Sequence, residues 1–289
     1  MRQFVNSEYH IIMETQRTLY VSDLDGTLIT KDERVSPYSA QLLNNLIGRG
    51  LFFTYATARS VVSAKRATQS LHIDAPVILY NGGLIYNPSS REALRAVLFS
   101  TEEKGYILRV LEEYGIKPFV FGATDEKETL RWHAGCESYG MKRYLDRRRN
   151  DARLFPAANE GEMLDCNVFY FKCIGPREQL ERAWNDLKLD TRFICIFHQE
   201  TYQNDFWMEI SPRAATKANA VSFLRARLAC DKVVCFGDSS NDSDMFDVCD
   251  EKYAVMNADG WLKEKATGVI GYCEEDGVAK FLAGRFREP

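Results

Sequence analysis

The chain has eight cysteines, at 136, 166, 173, 195, 230, 235, 249 and 273, but no C-x-x-C pair. That lack excludes the common zinc spacings. Most of the cysteines sit inside apolar runs such as "VVCF" and "FICIF" and read as buried reduced thiols, which pack as small hydrophobes. Histidine is scarce, with four residues at 10, 72, 133 and 198. None stands at metal-ligand spacing, so they read as surface or packing residues. No apolar run approaches the roughly eighteen residues of a membrane span, and the polar start "MRQFVNSEYHIIMETQR" lacks the pattern of a secretory leader. Positive charge is not in excess either: 37 Lys and Arg face 41 Asp and Glu, a net charge of -4. There is no basic footprint for nucleic acid, and an anionic ligand would need local neutralisation by a metal, a lysine or backbone amides. These absences lead us to expect a cytoplasmic protein, a monomer or weak homo-oligomer, with neither a nucleic-acid nor a membrane partner.

What is present belongs to a globular enzyme-sized chain. With 289 residues, 45% of them hydrophobic and 27% charged, it is long for one core, and two domains are expected. Four short apolar runs share one grammar: "TLYVS" before Asp23, "LFFTYA" before Thr57, "PVILY" before Asn81-Gly82-Gly83, and "KVVCF" before Gly237-Asp238. Runs that are apolar on consecutive residues and flanked by helical patterns predict parallel strands buried on both faces. Helices are expected between them. "SPYSAQLLNNLIGRG" offers Ser36 as N-cap, Pro37 next and an apolar stripe of Leu42, Leu43, Leu46 and Ile47. Others are expected over Ser60 to Leu71 and from "NDSDMFDVC". The alternation predicts a doubly wound α/β sheet, a Rossmann-like core whose ligand sits beyond the carboxyl ends of the strands.

Taken alone, the Asp-x-Asp-Gly of "LYVSDLDGTLIT" is ordinary turn chemistry. Four polar tips aimed at one crevice are not. "DLDGTL", "ATAR", the lysine in "SPRAATKANAV" and "GDSSNDSDMF" occur in the order and at the spacing of the four motifs of the haloacid dehalogenase superfamily, which the chain resembles. It is most similar to the Cof-like branch, phosphatases with a large α/β cap. "YNGG", "MNADGWLKEKA" and "EEDGVAKFL" resemble that branch as well, so the likeness runs from Thr18 almost to the end. Ala58 and Ala218 stand where that branch usually has glycine. An EF-hand reading of "DSSNDSDMFDVC" fails, because Ser243 occupies the position needing glycine and Cys249 the one needing glutamate.

The resemblance implies an Mg2+-dependent phosphatase acting on a small phosphorylated metabolite, such as a sugar phosphate or phosphorylated cofactor. Asp23 would be the nucleophile that forms an aspartyl-phosphate. Asp25 would protonate the leaving group and then activate water. Gly26 would allow the sharp turn between them. Magnesium would be held by Asp23, the backbone carbonyl of Asp25 and Asp238, with Asp242 a further ligand or a support behind it. Thr57 and Lys217 would bind the transferring phosphoryl oxygens, with Asn81 and Gly82 beside the substrate and Asn241 holding the acidic loop or the lysine. Ser211 and Pro212 are expected to open the helix that carries Lys217.

The position of the second domain follows from spacing. Between Asp23 and Thr57 there is room for one helix and a strand, which leaves none for the early cap of phosphomutases. More than a hundred residues lie between Gly83 and Lys217. They carry their own pattern: a helix from about Thr101 to Tyr114, strands in "KPFVFG", "DCNVFYFKCIG", "RFICIFH" and "DFWMEIS", and a helix in "PREQLERAWNDLK". We therefore expect a core of residues 1–85 and 207–289 with an α/β cap, residues 86–206, inserted into it. Arg131, His133, His198 and Trp207 are candidate cap contacts. A regulatory phosphometabolite-binding protein of the same fold, or a phosphomutase, are the alternatives. A dehalogenase has no need of the proton carrier Asp25, and a transport ATPase would need membrane spans.

Overall fold

Three of the four apolar runs pair as a parallel sheet in the computed structural model, which describes residues 16–124, 128–199 and 205–286. His10 lies outside the described residues. The first part of the chain forms β1 (Thr18–Ser22), α1 (Pro37–Gly48), β2 (Phe52–Tyr55), α2 (Val61–Ala67), β3 (Val77–Leu79), β4 (Leu84–Asn87) and β5 (Glu92–Ala96). The middle forms α3 (Thr101–Glu113), β6 (Phe119–Ala123), β7 (Glu128–His133), α4 (Tyr139–Asp146), β8 (Leu154–Ala157) and α5 (Glu160–Leu164). It continues with β9 (Asn167–Gly175), α6 (Arg177–Leu187), β10 (Phe193–Gln199) and β11 (Phe206–Pro212). The last part forms α7 (Lys217–Arg227), β12 (Lys232–Gly237), α8 (Ser243–Val248), β13 (Glu251–Val255), α9 (Gly260–Lys265), β14 (Gly268–Ile270) and α10 (Gly277–Arg285).

Five strands lie in the order β14-β13-β12-β1-β2, every neighbouring pair parallel. Leu19 and Val21 of β1 and Val233 to Phe236 of β12 are buried, as strands covered on both faces require. The first helix forms as its signals predict. Ser36 caps it by accepting the Ser39 N–H, Pro37 opens it, and Leu43 and Leu46 turn into the core while Leu42 and Ile47 are half-buried.

The third apolar run departs from the expected parallel strand. A single bridge, Ala56 to Ile78, joins it to the main sheet. Its pairing is mostly antiparallel, in a three-stranded sheet β3-β4-β5. The reversal comes from Tyr80 (φ 51), Asn81 (φ 52) and Gly82 (φ 101), which turn the chain straight back. α2 stops at Ala67 instead of reaching Leu71. β13 and β14, which complete the main sheet, had no counterpart in the apolar runs singled out above.

Six further strands form a second sheet, β10-β11-β9-β6-β7-β8. All its neighbours are antiparallel except β7 and β8. The expected α3 is present, opened by a capping box between Ser100 and Glu103. Apolar positions of α3 and α6, among them Ile107, Leu111, Leu180 and Leu187, cover one face together with Phe171 and Met208. The other face, with Phe119, Phe121, Phe169 and Tyr170, is continuous with the main core. Both expected boundaries cut through strands. The one at 85/86 falls inside β4, and the one at 206/207 inside β11, which lies between β9 and β10 and pairs with both. β7, α4, β8 and α5 were not anticipated.

Candidate active site

The parallel register sets the strand ends level. Ser22 pairs with Tyr55 and with Phe236, so the loops that follow β1, β2 and β12 leave the sheet side by side. The Asp23 N–H donates to the Phe236 carbonyl at 2.9 Å, and the Ala56 N–H to the Ser22 carbonyl at 2.9 Å. Asp23 is buried at this edge. The Lys217 ammonium donates to Asp23 Oδ1 at 2.5 Å and to Asp242 Oδ1 at 2.7 Å. The other Asp242 oxygen accepts the Asp238 N–H at 2.9 Å and the Ser239 N–H at 3.2 Å.

Lys217 arrives by a different local route from the one expected. Ser211 and Pro212 end β11, and Thr216 is the N-cap of α7, its hydroxyl accepting the Asn219 N–H at 3.1 Å. Cross-strand pairing of Phe206 to Pro212 overrides the Ser-Pro cap signal and delays the helix to Lys217, its first residue. Ala218 is then in the first helical turn, where a Cβ is welcome and glycine would be unfavourable.

Carboxylate oxygens of Asp23, Asp238 and Asp242 lie within 4.8 Å of one another, the only such acidic triad among the described residues. Three carboxylates against one ammonium leave a surplus of negative charge in a buried place. Burial pushes the Asp23 carboxyl well above the usual carboxylate range, opposed by Lys217 and assisted by Asp242. Burial and the Asp242 charge push Asp238 up to about 6. Burial also works against the Lys217 ammonium, but Asp23 and Asp242 outweigh it and raise its pKa. An all-oxygen, charge-deficient donor set of this kind fits a small hard divalent cation. Gly26 makes the close approach possible. It sits at φ 79, and a Cβ there would lie 2.4 Å from Asp238 Oδ2.

The remaining candidates sit on the loops that leave the neighbouring strand ends. Thr57 is buried in the loop after β2, donates its N–H to the Ile78 carbonyl and accepts the Arg59 N–H on Oγ1 at 3.1 Å. Gly82 is pressed under the start of α7, where a Cβ would meet the Thr216 carbonyl oxygen at 2.1 Å. Asn241 accepts from the Ser239 hydroxyl at 2.7 Å and makes a long 3.5 Å contact with Asn81 Oδ1. Of its two expected partners it therefore meets the acidic loop and not the lysine. Asp25 stands apart, exposed at the mouth, with its carboxylate on Arg59.

Arg59, the last residue of "ATAR", announces itself in the sequence only as a basic side chain two residues past Thr57. The "MNADGWLKEKA" segment proves to be a buttress. Asn257 Nδ2 donates to the Gly26 carbonyl at 2.7 Å, the Asp259 N–H to the Asp238 carbonyl at 2.8 Å, and Lys265 Nζ to the Ser243 carbonyl at 2.8 Å. Of the candidate cap contacts, Arg131 is buried on the Glu162 carbonyl and over the Phe155 ring, whereas His198 is exposed beside Trp207.

A family model described as haloacid dehalogenase-like hydrolase matches residues 20–282. The chain is 25% identical over 289 residues to the 5-amino-6-(5-phospho-D-ribitylamino)uracil phosphatase YwtE of Bacillus subtilis, covering 90% of this chain and 95% of that one. It is 26% identical over 283 residues to the HMP-PP phosphatase of Serratia proteamaculans, covering 92% and 94%. Among solved structures, a haloacid dehalogenase-like hydrolase from Bacteroides thetaiotaomicron superposes with a TM-score of 0.75 at 19% identity, covering 94% of this chain and all of that one. A Thermotoga maritima structure does so with a TM-score of 0.75 at 22% identity, covering 95% and 99%. These two likenesses establish the fold.

Proposed function

The chain belongs to the haloacid dehalogenase-like hydrolases, and from that premise we propose that it is a magnesium-dependent phosphoric monoester hydrolase for a small phosphorylated metabolite. The observation that carries this reading is the buried triad of Asp23, Asp238 and Asp242 crossed by Lys217. Both curated relatives described above are named phosphatases. The eight unpaired cysteines suit a cytoplasmic setting, and no helix among the described residues is long and apolar enough to cross a membrane.

In this reading an Asp23 oxygen attacks phosphorus in line with the leaving oxygen, forming an aspartyl-phosphate and splitting one hard step into two easier ones. Asp25 gives a proton to the departing alkoxide, then takes one from the water that hydrolyses the intermediate. Lys217 and Thr57 hold the phosphoryl oxygens and orient them, so that little reorganisation accompanies the transfer. Asp23, the Asp25 carbonyl and Asp238 would hold the magnesium, and Asp242 steadies the site by gripping Lys217 and the Asp238 and Ser239 amides. Bound there, magnesium supplies positive charge that screens the phosphate oxygens from the incoming carboxylate. The unit built on the six-stranded sheet acts as the cap, closing over the crevice and meeting the part of the substrate that is not phosphate.

Hydrolysis of p-nitrophenyl phosphate tests the reading. Turnover with magnesium, its loss in excess EDTA, and mass-spectrometric trapping of phosphate on Asp23 are the expected results. Full activity in EDTA would remove the metal from the reaction. Phosphate binding with no turnover of any phosphorylated metabolite in a broad panel would make the protein a binding module of the same fold.

A further inference from the structure

Asp25, the exposed acid of the opening motif, does not choose its own rotamer. Its side chain is 54% exposed, yet both carboxylate oxygens are taken by one guanidinium. Arg59 Nε–H donates to Oδ2 at 2.8 Å and Nη2–H to Oδ1 at 2.6 Å. Arg59 is itself clamped, its side chain only 12% exposed. Its main-chain N–H is on Thr57 Oγ1, its carbonyl accepts the Tyr80 N–H at 3.2 Å, and Nη1 reaches Ser63 Oγ at 3.3 Å on α2. Glu33 Oε2 stands 3.6 Å from Nη1. One residue thus joins the Thr57 loop, the turn at Tyr80 and the Asp25 carboxylate.

We infer that Arg59 is the positioning residue for Asp25, a role that rests on the acid–base reading given above. An ion pair with one partner in solvent contributes little to stability, so stability does not account for so enclosed an arginine. A bidentate fork does something a single charge cannot, because it fixes the plane of the carboxylate as well as its place. Each Asp25 oxygen keeps a further acceptor site for proton traffic. A proton carrier has to lie within hydrogen-bond reach of the leaving oxygen, and a displacement of about 1 Å is enough to cost on the order of 100-fold. On an otherwise free, exposed aspartate, the fork from Arg59 supplies that placement.

The test compares wild type, Arg59→Ala, Arg59→Lys, Asp25→Ala and the double variant Asp25→Ala/Arg59→Ala, all at saturating magnesium. The substrates are p-nitrophenyl phosphate, which needs little acid help, and an alkyl phosphate, which needs much. Arg59→Ala should slow the single-turnover phosphorylation of Asp23 by the alkyl phosphate by about 30- to 100-fold and by p-nitrophenyl phosphate by less than about fivefold, with substrate affinity little changed. Added guanidinium ion should restore part of the loss. Arg59→Lys keeps the charge without the fork; it should show the same pattern in milder form, and it provides the readout if the alanine variant does not fold. In the Asp25→Ala background, removing Arg59 should have no further effect beyond about twofold. Losses that multiply in the double variant, or weakened substrate binding with an unchanged phosphorylation rate, would overturn the inference. So would a leaving-group-dependent loss in Asp25→Ala with none in Arg59→Ala. An equal loss of phosphorylation rate for both substrates in Asp25→Ala overturns the acid–base reading itself.

Discussion

The five-stranded and six-stranded sheets both bury charge, and they do so in opposite ways. At the edge of the five-stranded sheet, Asp23, Asp238 and Asp242 share one ammonium, and burial together with the Asp242 charge pushes Asp238 up to about 6. In the six-stranded sheet the enclosed acids each meet a cation of their own or share one gripped firmly. Lys172 lies 3.0 Å from Glu209 among the rings of Phe121, Tyr144, Tyr170 and Trp207. Arg153 bridges Glu128 and Asp151, and Tyr80 adds its hydroxyl to Glu128. Arg153 serves two acids, and burial still pushes the Glu128 carboxyl up, but both acids are bound to the guanidinium. These clusters tie one element to another, Tyr80 carrying the tie from the turn beside Asn81 into the second sheet. The acidic triad carries more negative charge than Lys217 neutralises, which suits a cationic ligand. Three acids on one ammonium, against at most two acids bound by one guanidinium, separate the candidate site from the scaffold.

The largest effect that follows from this contrast belongs to Asp23→Asn. On the proposed role, kcat should fall by about 10⁴-fold or more, since an amide is a poor nucleophile. Circular dichroism should stay native, because Lys217 keeps Asp242. Near-normal turnover would mean that the acidic triad is not the reaction centre.

Arg153→Met should do the reverse, costing stability by about 3–5 kcal/mol in denaturant unfolding, as Glu128 is left buried and short of its cation. The paired change Glu128→Leu/Arg153→Met should cost less than the single one. If both variants unfold alike, the Glu128–Arg153 pair is not what holds the second sheet there.

Magnesium affinity sharpens the comparison next. Asp238 has a raised pKa, so below about 6 it carries a proton that the cation must displace. Affinity should therefore fall by at least about tenfold per unit of pH below about 6, the raised Asp23 carboxyl adding to the loss, measured by isothermal titration calorimetry. A flat profile down to about pH 4 would count against Asp238 as a ligand. The smallest effect is expected at the rim of the second sheet. His198→Ala should shift relative kcat/KM among phosphorylated metabolites by about threefold, with magnesium affinity unchanged, in keeping with the modest worth of one pocket contact. Arg131→Ala should lower thermal stability instead, because Arg131 is buried on the Glu162 carbonyl. Specificity untouched by His198→Ala would place recognition elsewhere.

Much of the fold was legible because strand periodicity and turn chemistry are local. The buried strands β1, β2 and β12, the Ser36 cap and the α3 capping box each rest on residues a few positions apart. What was not legible depended on partners far along the chain. Ser211-Pro212 has the composition of a helix start, but β10 claims it as the end of a strand. β7 and β8 carry too few unbroken apolar positions to announce themselves, and they become strands through pairing. Arg59 looked like one more basic letter until the turn after β1 brought Asp25 against it.

The sequence by itself determined the order of the elements, the alternation of strand and helix, and the polar residues at the strand ends, because side-chain shape and backbone preference act over a few residues. Only the tertiary structure decided which charges are satisfied. Lys217 meets Asp23 across 194 residues of sequence, and Gly26 must be a glycine partly because Asp238, from the far half of the chain, comes to rest against it. Electrostatic energy depends on distance through space and on exclusion of water, and neither quantity exists until the chain has folded.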